Sequence, residues 1–284
     1  MCQAQTEKFN SRTVQTRTTT ENSSAKTRGC VVLEKPCKLM FELSSSERMN
    51  LLLKLQKQRL KLSHVSKKLD MTVTEASRHL QRLSEAKLIQ KDAEGLYGLT
   101  PFGVLTLSLL SGLGFVSRYR DYFMEYDISR IPYEFINRIG ELGEGGLGAD
   151  TFRNIHETEK MFQEAREYVW ILSDQILMSG GPIVGERVKS DVKLRVILPE
   201  SLLPPPGYKP ILPPSPGGFQ RRVLPKVEVI IVMNEKVATF CLPNQSGKID
   251  YTGFGGSDPK FHKWCRDLFL YYWEKATSAP SPAR

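Results

Sequence analysis

No two cysteines in this 284-residue chain have the spacing of a zinc knuckle or of a C-x-x-C redox centre. The five present (Cys2, Cys30, Cys37, Cys241 and Cys265) are odd in number and scattered, so they read as free thiols of a reducing compartment. Histidine is scarcer still, at four residues, and none stands in an H-E-x-x-H pattern. No metal and no cofactor are therefore expected. Gly253 to Gly256 lacks the lysine of a Walker phosphate loop. Long hydrophobic runs are missing too. The most apolar one, Val104 to Val116, is interrupted by Ser108, Ser111, Gly112 and Gly114 and reads as too short to cross a bilayer. The N-terminus is polar and has no apolar stretch of a secretory signal. These absences set the expectation of a soluble, cytoplasmic chain without a membrane partner.

Acid is also in short supply. Against 40 lysines and arginines stand 31 aspartates and glutamates, a formal net charge of +9. An excess of that sign favours polyanionic partners, above all nucleic acid. It is concentrated: residues 46–100 hold 11 basic and six acidic residues, more than half of the surplus in about a fifth of the chain.

Read along its length, the chain divides into five parts. Residues 1–40 are polar and without apolar periodicity, as expected of a disordered tail. Residues 41–101 show three helical patterns: one after the serines Ser44 to Ser46, one from Leu62 to Leu69 and one from about Val73 to Ala86. Two short apolar runs around Lys91-Asp92-Ala93-Glu94-Gly95 then read as a hairpin. Three helices followed by a hairpin is the order of a winged helix-turn-helix. Residues 102–149 read as a helical linker with dimer-forming apolar residues between Val104 and Tyr126, and GEGGLGAD as a hinge. Residues 150–275 alternate helix and strand, an α/β domain, and 276–284 read as a second disordered tail. The fold class expected is α+β: an N-terminal winged helix-turn-helix joined by a helical linker to a C-terminal α/β domain. Between Pro199 and Pro225 lie nine of the 17 prolines, a composition that predicts an exposed loop without regular strand.

The third helix carries the chemistry. Val73, Ala76, Leu80 and Leu83 recur at spacings of three and four, which predicts an inward face. Thr72, Thr74, Ser77, Arg78, Gln81 and Arg82 project from the other side. Arginine reads guanine bidentately and glutamine reads adenine, while hydroxyls serve phosphates or base edges. Lys67 and Lys68 at the end of the second helix, and Lys91 on the hairpin, are expected at flanking phosphates. Double-stranded DNA is the predicted partner, met by a homodimer with two reading helices.

The segment LSHVSKKLDMTVTEASRHLQRLSEAKLI resembles the winged helix of prokaryotic ArsR-like regulators, whose reading helix often ends S-R-H-L-x-x-L-x-x-x-G-L-I. The match runs from Ser77 through Ile89, with Lys87 where glycine is usual. RDYFMEYDISRIPYEFINRIGEL and GKIDYTGFGGSDPKFHKWCRDLFLYYW resemble archaeal regulators of the filament- and methanogenesis-regulator family, and that resemblance spans roughly Leu51 to Trp273. It implies a C-terminal domain that senses a small-molecule or signalling-protein effector. Ser173, Asp174, Arg195, Phe254 and Trp264 are the candidate effector residues. C-terminal domains of this kind can also look distantly like phospholipase D modules, whose chemistry needs a histidine with a lysine two residues on. His262 is followed by Lys263 and Trp264, and His156 by Glu157 and Thr158, so no enzymatic activity is expected. Two alternatives remain beside the regulator: a winged-helix adaptor that binds protein without DNA specificity, and a C-terminal phosphodiesterase-like enzyme.

Overall fold

The computed structural model describes residues 35–148, 150–202 and 218–278. The tails expected over 1–40 and 276–284, and the proline-rich interval, thus lie partly outside the described residues. The chain forms two compact units that divide between Thr106 and Leu107. The fold is α+β.

The first unit begins with a helix the sequence did not announce. Residues 35–43 (α1) are helical, although 35–40 read as tail. Tertiary contacts hold it rather than periodicity. Leu43 is buried, and the Phe41 ring lies under the guanidinia of Arg48 and Arg82 at 6.0 and 5.3 Å. Arg48, itself buried, donates to the carbonyls of Phe41 and Glu42 at the end of this helix. Helix α2 (Ser46–Lys57) starts at Ser45, whose hydroxyl accepts from the Arg48 amide. It turns Leu51, Leu52 and Leu55 inward, and α3 (Leu62–Lys68) adds Val65.

Helix α4 (Val73–Glu85) is bounded at both ends by named devices. At its start Thr72 and Glu75 form a capping box, with both reciprocal bonds made. At its end Lys87 takes the left-handed conformation, φ +60°, while its amide donates to Ser84 and that of Leu88 to Leu83. This is a Schellman turn with lysine in the place glycine prefers. Strands β1 (Ile89–Lys91) and β2 (Tyr97–Leu99) then pair antiparallel. Asp92 organises their turn by accepting from the amides of Glu94 and Leu96, and Gly95 supplies a φ of +82°.

Helix α5 (Pro101–Arg118) is capped at Thr100, whose hydroxyl accepts from the Gly103 amide. By length and composition alone it is long and apolar enough to cross a membrane, which corrects the reading of Val104 to Val116 as too short. Much of it is exposed: Gly103, Thr106, Leu107 and Phe115 are buried, whereas Phe102, Val104, Leu105, Leu109 and Leu113 are exposed.

The second unit is built on an eight-stranded mixed sheet. In chain order its strands are β3 (Gly146–Gly148), β4 (Tyr168–Leu172), β5 (Lys193–Pro199), β6 (Phe219–Leu224), β7 (Ile230–Asn234), β8 (Ala238–Cys241), β9 (Gly253–Gly256) and β10 (Thr277–Ser278). Their spatial order is β10-β6-β5-β4-β7-β8-β9-β3, with β4, β5 and β6 parallel to one another and the other pairings antiparallel. Four of these strands, β9 among them, stand where no strand is expected from the sequence. The expected hinge GEGGLGAD contains β3, the proline-rich interval contains β6, and the expected tail contributes β10.

Alternate residues serve two cores. Leu172, Ile197, Ile231, Met233 and Phe240 face α6 (Arg120–Glu125), α7 (Tyr133–Ile136) and α10 (Pro259–Lys275), whose Phe261, Trp264, Leu268 and Phe269 are fully buried. Each such side chain contributes about 1.5–3 kcal/mol through burial. Residues 107–142 belong to this core through Phe115, Tyr122, Tyr126, Phe135 and Leu142, so the stretch read as a linker is part of the domain itself. On the other face Val169, Leu194, Ile230 and Val232 meet α8 (Thr151–Glu164) and α9 (Gly180–Lys189). Gly180, Gly181 and Pro182 stand in the first turn of α9, where proline's missing amide is not needed.

Candidate nucleic-acid interface and ligand cleft

On α4 the side chains divide by face. Ala76, His79, Leu80 and Leu83 are buried, while Thr74, Ser77, Arg78 and Gln81 lie exposed at helical spacing. Gln81 donates to Glu85 at 2.9 Å, a bond between exposed groups that a better acceptor can replace. Arg78 makes no ion pair among the described residues. Lys67 and Lys68 are exposed at the end of α3, and Lys91 is exposed on β1 with its ammonium 5.5 Å from the Tyr97 ring centre.

Three residues of the third-helix reading stand elsewhere. Val73, expected inward, is 56% exposed, because it occupies the first turn, ahead of the part of α4 that packs on its neighbours. The Thr72 hydroxyl is taken up by the capping box with Glu75. Arg82 grips Glu42 with two bonds of 2.7 and 3.1 Å and is thereby turned towards α1. That grip, aided by Arg48 and opposed by burial, holds the Glu42 carboxyl below its usual range. Sequence reasoning missed this triad, in which Arg82 and Glu42 are 40 residues apart.

With Arg48 and Arg82 sharing Glu42 and Arg59 paired to Asp92, three of the 11 cations of residues 46–100 are ion-paired, against two carboxylates. The others make no ion pair among the described residues. His79 was also missed as a special residue. Its Nδ1 is buried without a hydrogen-bond partner, and burial, then the charges of Arg78 and Arg48, push the imidazole below its ordinary value against Glu47 and Glu75.

The second unit holds a cleft of about 1500 Å³ between the sheet and helices α8 and α9. Ser173 lines it, and the neighbouring Asp174 accepts from the Tyr251 hydroxyl at 3.1 Å. Tyr251 has a φ of +65°, and burial, reinforced by the Asp174 charge, raises its phenol above the usual range. The Cys241 thiol, also at the cleft, is pushed up to about 12 by burial, then by Asp250 and Asp174, so it is held as an inert thiol.

The remaining candidate effector residues are not gathered there. Arg195 lies on the opposite face, its guanidinium 5.1 Å from the Trp170 ring and 5.3 Å from that of Trp273. Trp264 is wholly buried and donates its indole N–H to the Phe135 carbonyl. Phe254 reaches the cleft border, yet its ring packs 5.0 Å from Phe115 and 4.8 Å from Tyr122 in the other core. Period-two alternation turns Arg195 and Phe254 to the face that α10, with Trp264, covers, and the register that sets it is non-local. Among the described residues no three histidine, cysteine or acidic side chains converge as metal ligands.

The sequence matches no described protein family and no curated protein. Solved structures do resemble the chain. One is TrmBL2, an archaeal chromatin protein, at 14% identity over 83% of this chain and 94% of that one, with a TM-score of 0.38. A second is NucT from Helicobacter pylori, at 11% identity over 48% and 99% of the two chains, again with a TM-score of 0.38. A third is Nuc from Salmonella typhimurium, a phospholipase D family member, at 8% identity over 44% and 90%, with a TM-score of 0.32. At such scores the likenesses assign nothing. They do correct one expectation: with NucT and a phospholipase D family member among the similar structures, the exclusion of enzymatic activity is withdrawn.

Proposed function

We propose that the chain is a sequence-specific DNA-binding regulator of the ArsR-like, filament- and methanogenesis-regulator kind. In this reading it acts as a homodimer that lays α4 in the major groove. The observation that carries the reading is the exposed face Thr74, Ser77, Arg78 and Gln81, free of ion pairing and flanked by Lys67, Lys68 and Lys91. Groups able to read base edges project from a rigid, doubly capped helix, and phosphate-binding cations stand on both sides of it. Thr72 and Arg82 keep structural roles and leave the base-reading set.

The second copy is assigned to the exposed stripe Phe102, Leu109 and Leu113 on α5. Most of α5 is exposed, with 22% of it buried inside the chain, which leaves apolar surface for a second copy to cover. The second unit, with Ser173 and Asp174 at its cleft, takes the signal.

The test is selection of genomic fragments by the purified chain at about 0.15 M salt, where non-specific binding is screened. Enrichment of a palindrome is expected, and Arg78→Ala should weaken binding to it about tenfold, a loss on the order of 1–3 kcal/mol. Lys68→Ala should weaken all sequences alike and flatten the salt dependence. Diffuse binding that fades with salt would replace the regulator with a protein-binding adaptor.

A further inference from the structure

One rung of side chains crosses the cleft side of the second unit's sheet. Arg221 pairs with Val196, Val196 with Ile171, Ile171 with Val232, Val232 with Thr239 and Thr239 with Gly255. Paired residues share a face, so these side chains form a continuous track of one guanidinium, three branched aliphatics and one hydroxyl, with glycine beyond. Neighbouring strands lie about 4.8 Å apart, which makes the track about 19 Å long from Arg221 to Thr239.

Two observations make it a site. First, Ile171 and Val196 lie on β4 and β5, inner strands of the sheet, yet they are only partly buried. Inner strands of a mixed sheet with helices on both faces normally bury such residues fully. Second, Arg221 is the charged side chain of this track. It is exposed, and no hydrogen bond or ion pair engages it among the described residues. The other charges of the lining belong to the helix above or to its N-cap, where Arg153 and Lys160 are set against Asp150, Glu157 and Glu164.

We infer that the cleft binds an anionic amphiphile: an extended apolar chain along Val196, Ile171 and Val232, with a carboxylate or phosphate head on Arg221. As the signal of a DNA-binding regulator this ligand rests on the function proposed above, whereas its binding does not.

Titration calorimetry of the full chain with hexadecanoate, hexadecyl phosphate and hexadecanol tests it, each below its aggregation threshold. One or both anions should bind about tenfold tighter than the alcohol, as a charge-assisted bond to arginine requires. The tighter of the two identifies the head. Arg221→Gln, a surface change, should erase that difference while leaving alcohol binding as it was. Equal binding of anion and alcohol, binding of neither, or anion binding unaffected by Arg221→Gln would overturn the inference. So would binding that appears only when residues 203–217 are replaced by a glycine-serine segment of equal length, since the track would then belong to the chain itself. Anion binding without any change in DNA affinity would keep the site and remove its regulatory role. Loss of DNA selection with anion binding intact would sink the regulator alone.

Discussion

At the scale of single residues, α4 carries a buried histidine and a left-handed lysine, and each has a measurable cost. His79 holds its imidazole below the ordinary value of about 6.5, so the fold prefers the neutral ring. A depressed cation costs nothing while the pH is above the unfolded value. Stability is then lost as the pH falls through about 6.5 towards the lower folded value, where the unfolded chain takes up the proton first. Melting of the chain between about pH 7.5 and 5.5 should show this decline, and His79→Gln should flatten it across that window. An unchanged slope in the variant would place the titration elsewhere. Lys87 is simpler. Its φ of +60° strains any side chain with a Cβ, so Lys87→Gly should stabilise the unit by about 1 kcal/mol, read as a higher melting temperature. The resemblance had already marked this position by its missing glycine, and the structure supplies the backbone reason. Arg82 went the other way. Its charge and its place on the helix suggested base reading, but nothing in sequence near it announces Glu42 as its partner.

At the scale of elements, the tightest join lies where α5 leaves the hairpin. A Cβ on Gly103 would stand 2.1 Å from the Leu88 carbonyl oxygen, an atom that already accepts from the Thr100 amide. Backbone cannot yield as a side-chain tip can. Gly103→Ala should therefore destabilise the chain by about 2 kcal/mol or more, whereas alanine at Gly114, which meets nothing within 4 Å, should be tolerated. Thermal melts of the two variants give the comparison. Elements with strong periodicity were legible in the sequence: α3 and α4 fall within a residue of their reading, and β4 and β5 stand where β-branched and aromatic residues cluster. The missed elements share a physical cause. β3 is Gly-Leu-Gly and β9 is Gly-Phe-Gly-Gly, segments with little strand propensity that pair because β8 offers β9 an edge and β9 offers one to β3. β6, Phe-Gln-Arg-Arg-Val-Leu, contains no proline itself and was hidden by the prolines on either side.

At the scale of the whole molecule, the exposed apolar stripe of α5 sets an expectation for assembly. Leu109, 73% exposed, and Leu113 should lie in the contact between two copies, so replacing both by glutamate should give a monomer in sedimentation. Palindromic DNA affinity should fall with it, while the melting temperature stays within a few degrees because neither side chain is buried. A dimer that persists would move the contact elsewhere. Of the two candidate sites, the helix face was legible because its residues are near neighbours in sequence. The cleft was not, because its track joins five strands whose register no local pattern records. The sheet's outer limits bear on a different property. It ends in β10, two residues long, on one side and in β3, three residues long, on the other. An unpaired strand is a template for the edge of another molecule, and its reach grows with its length. On the β3 side a passing chain meets three residues of pairing, too few to hold it, whereas β10 covers only Arg222 and Val223 of β6. Of the two edges, the β3 side is thus the one closed to stacking, while on the other side Phe219, Gln220 and Arg221 of β6 have no further strand beside them among the described residues.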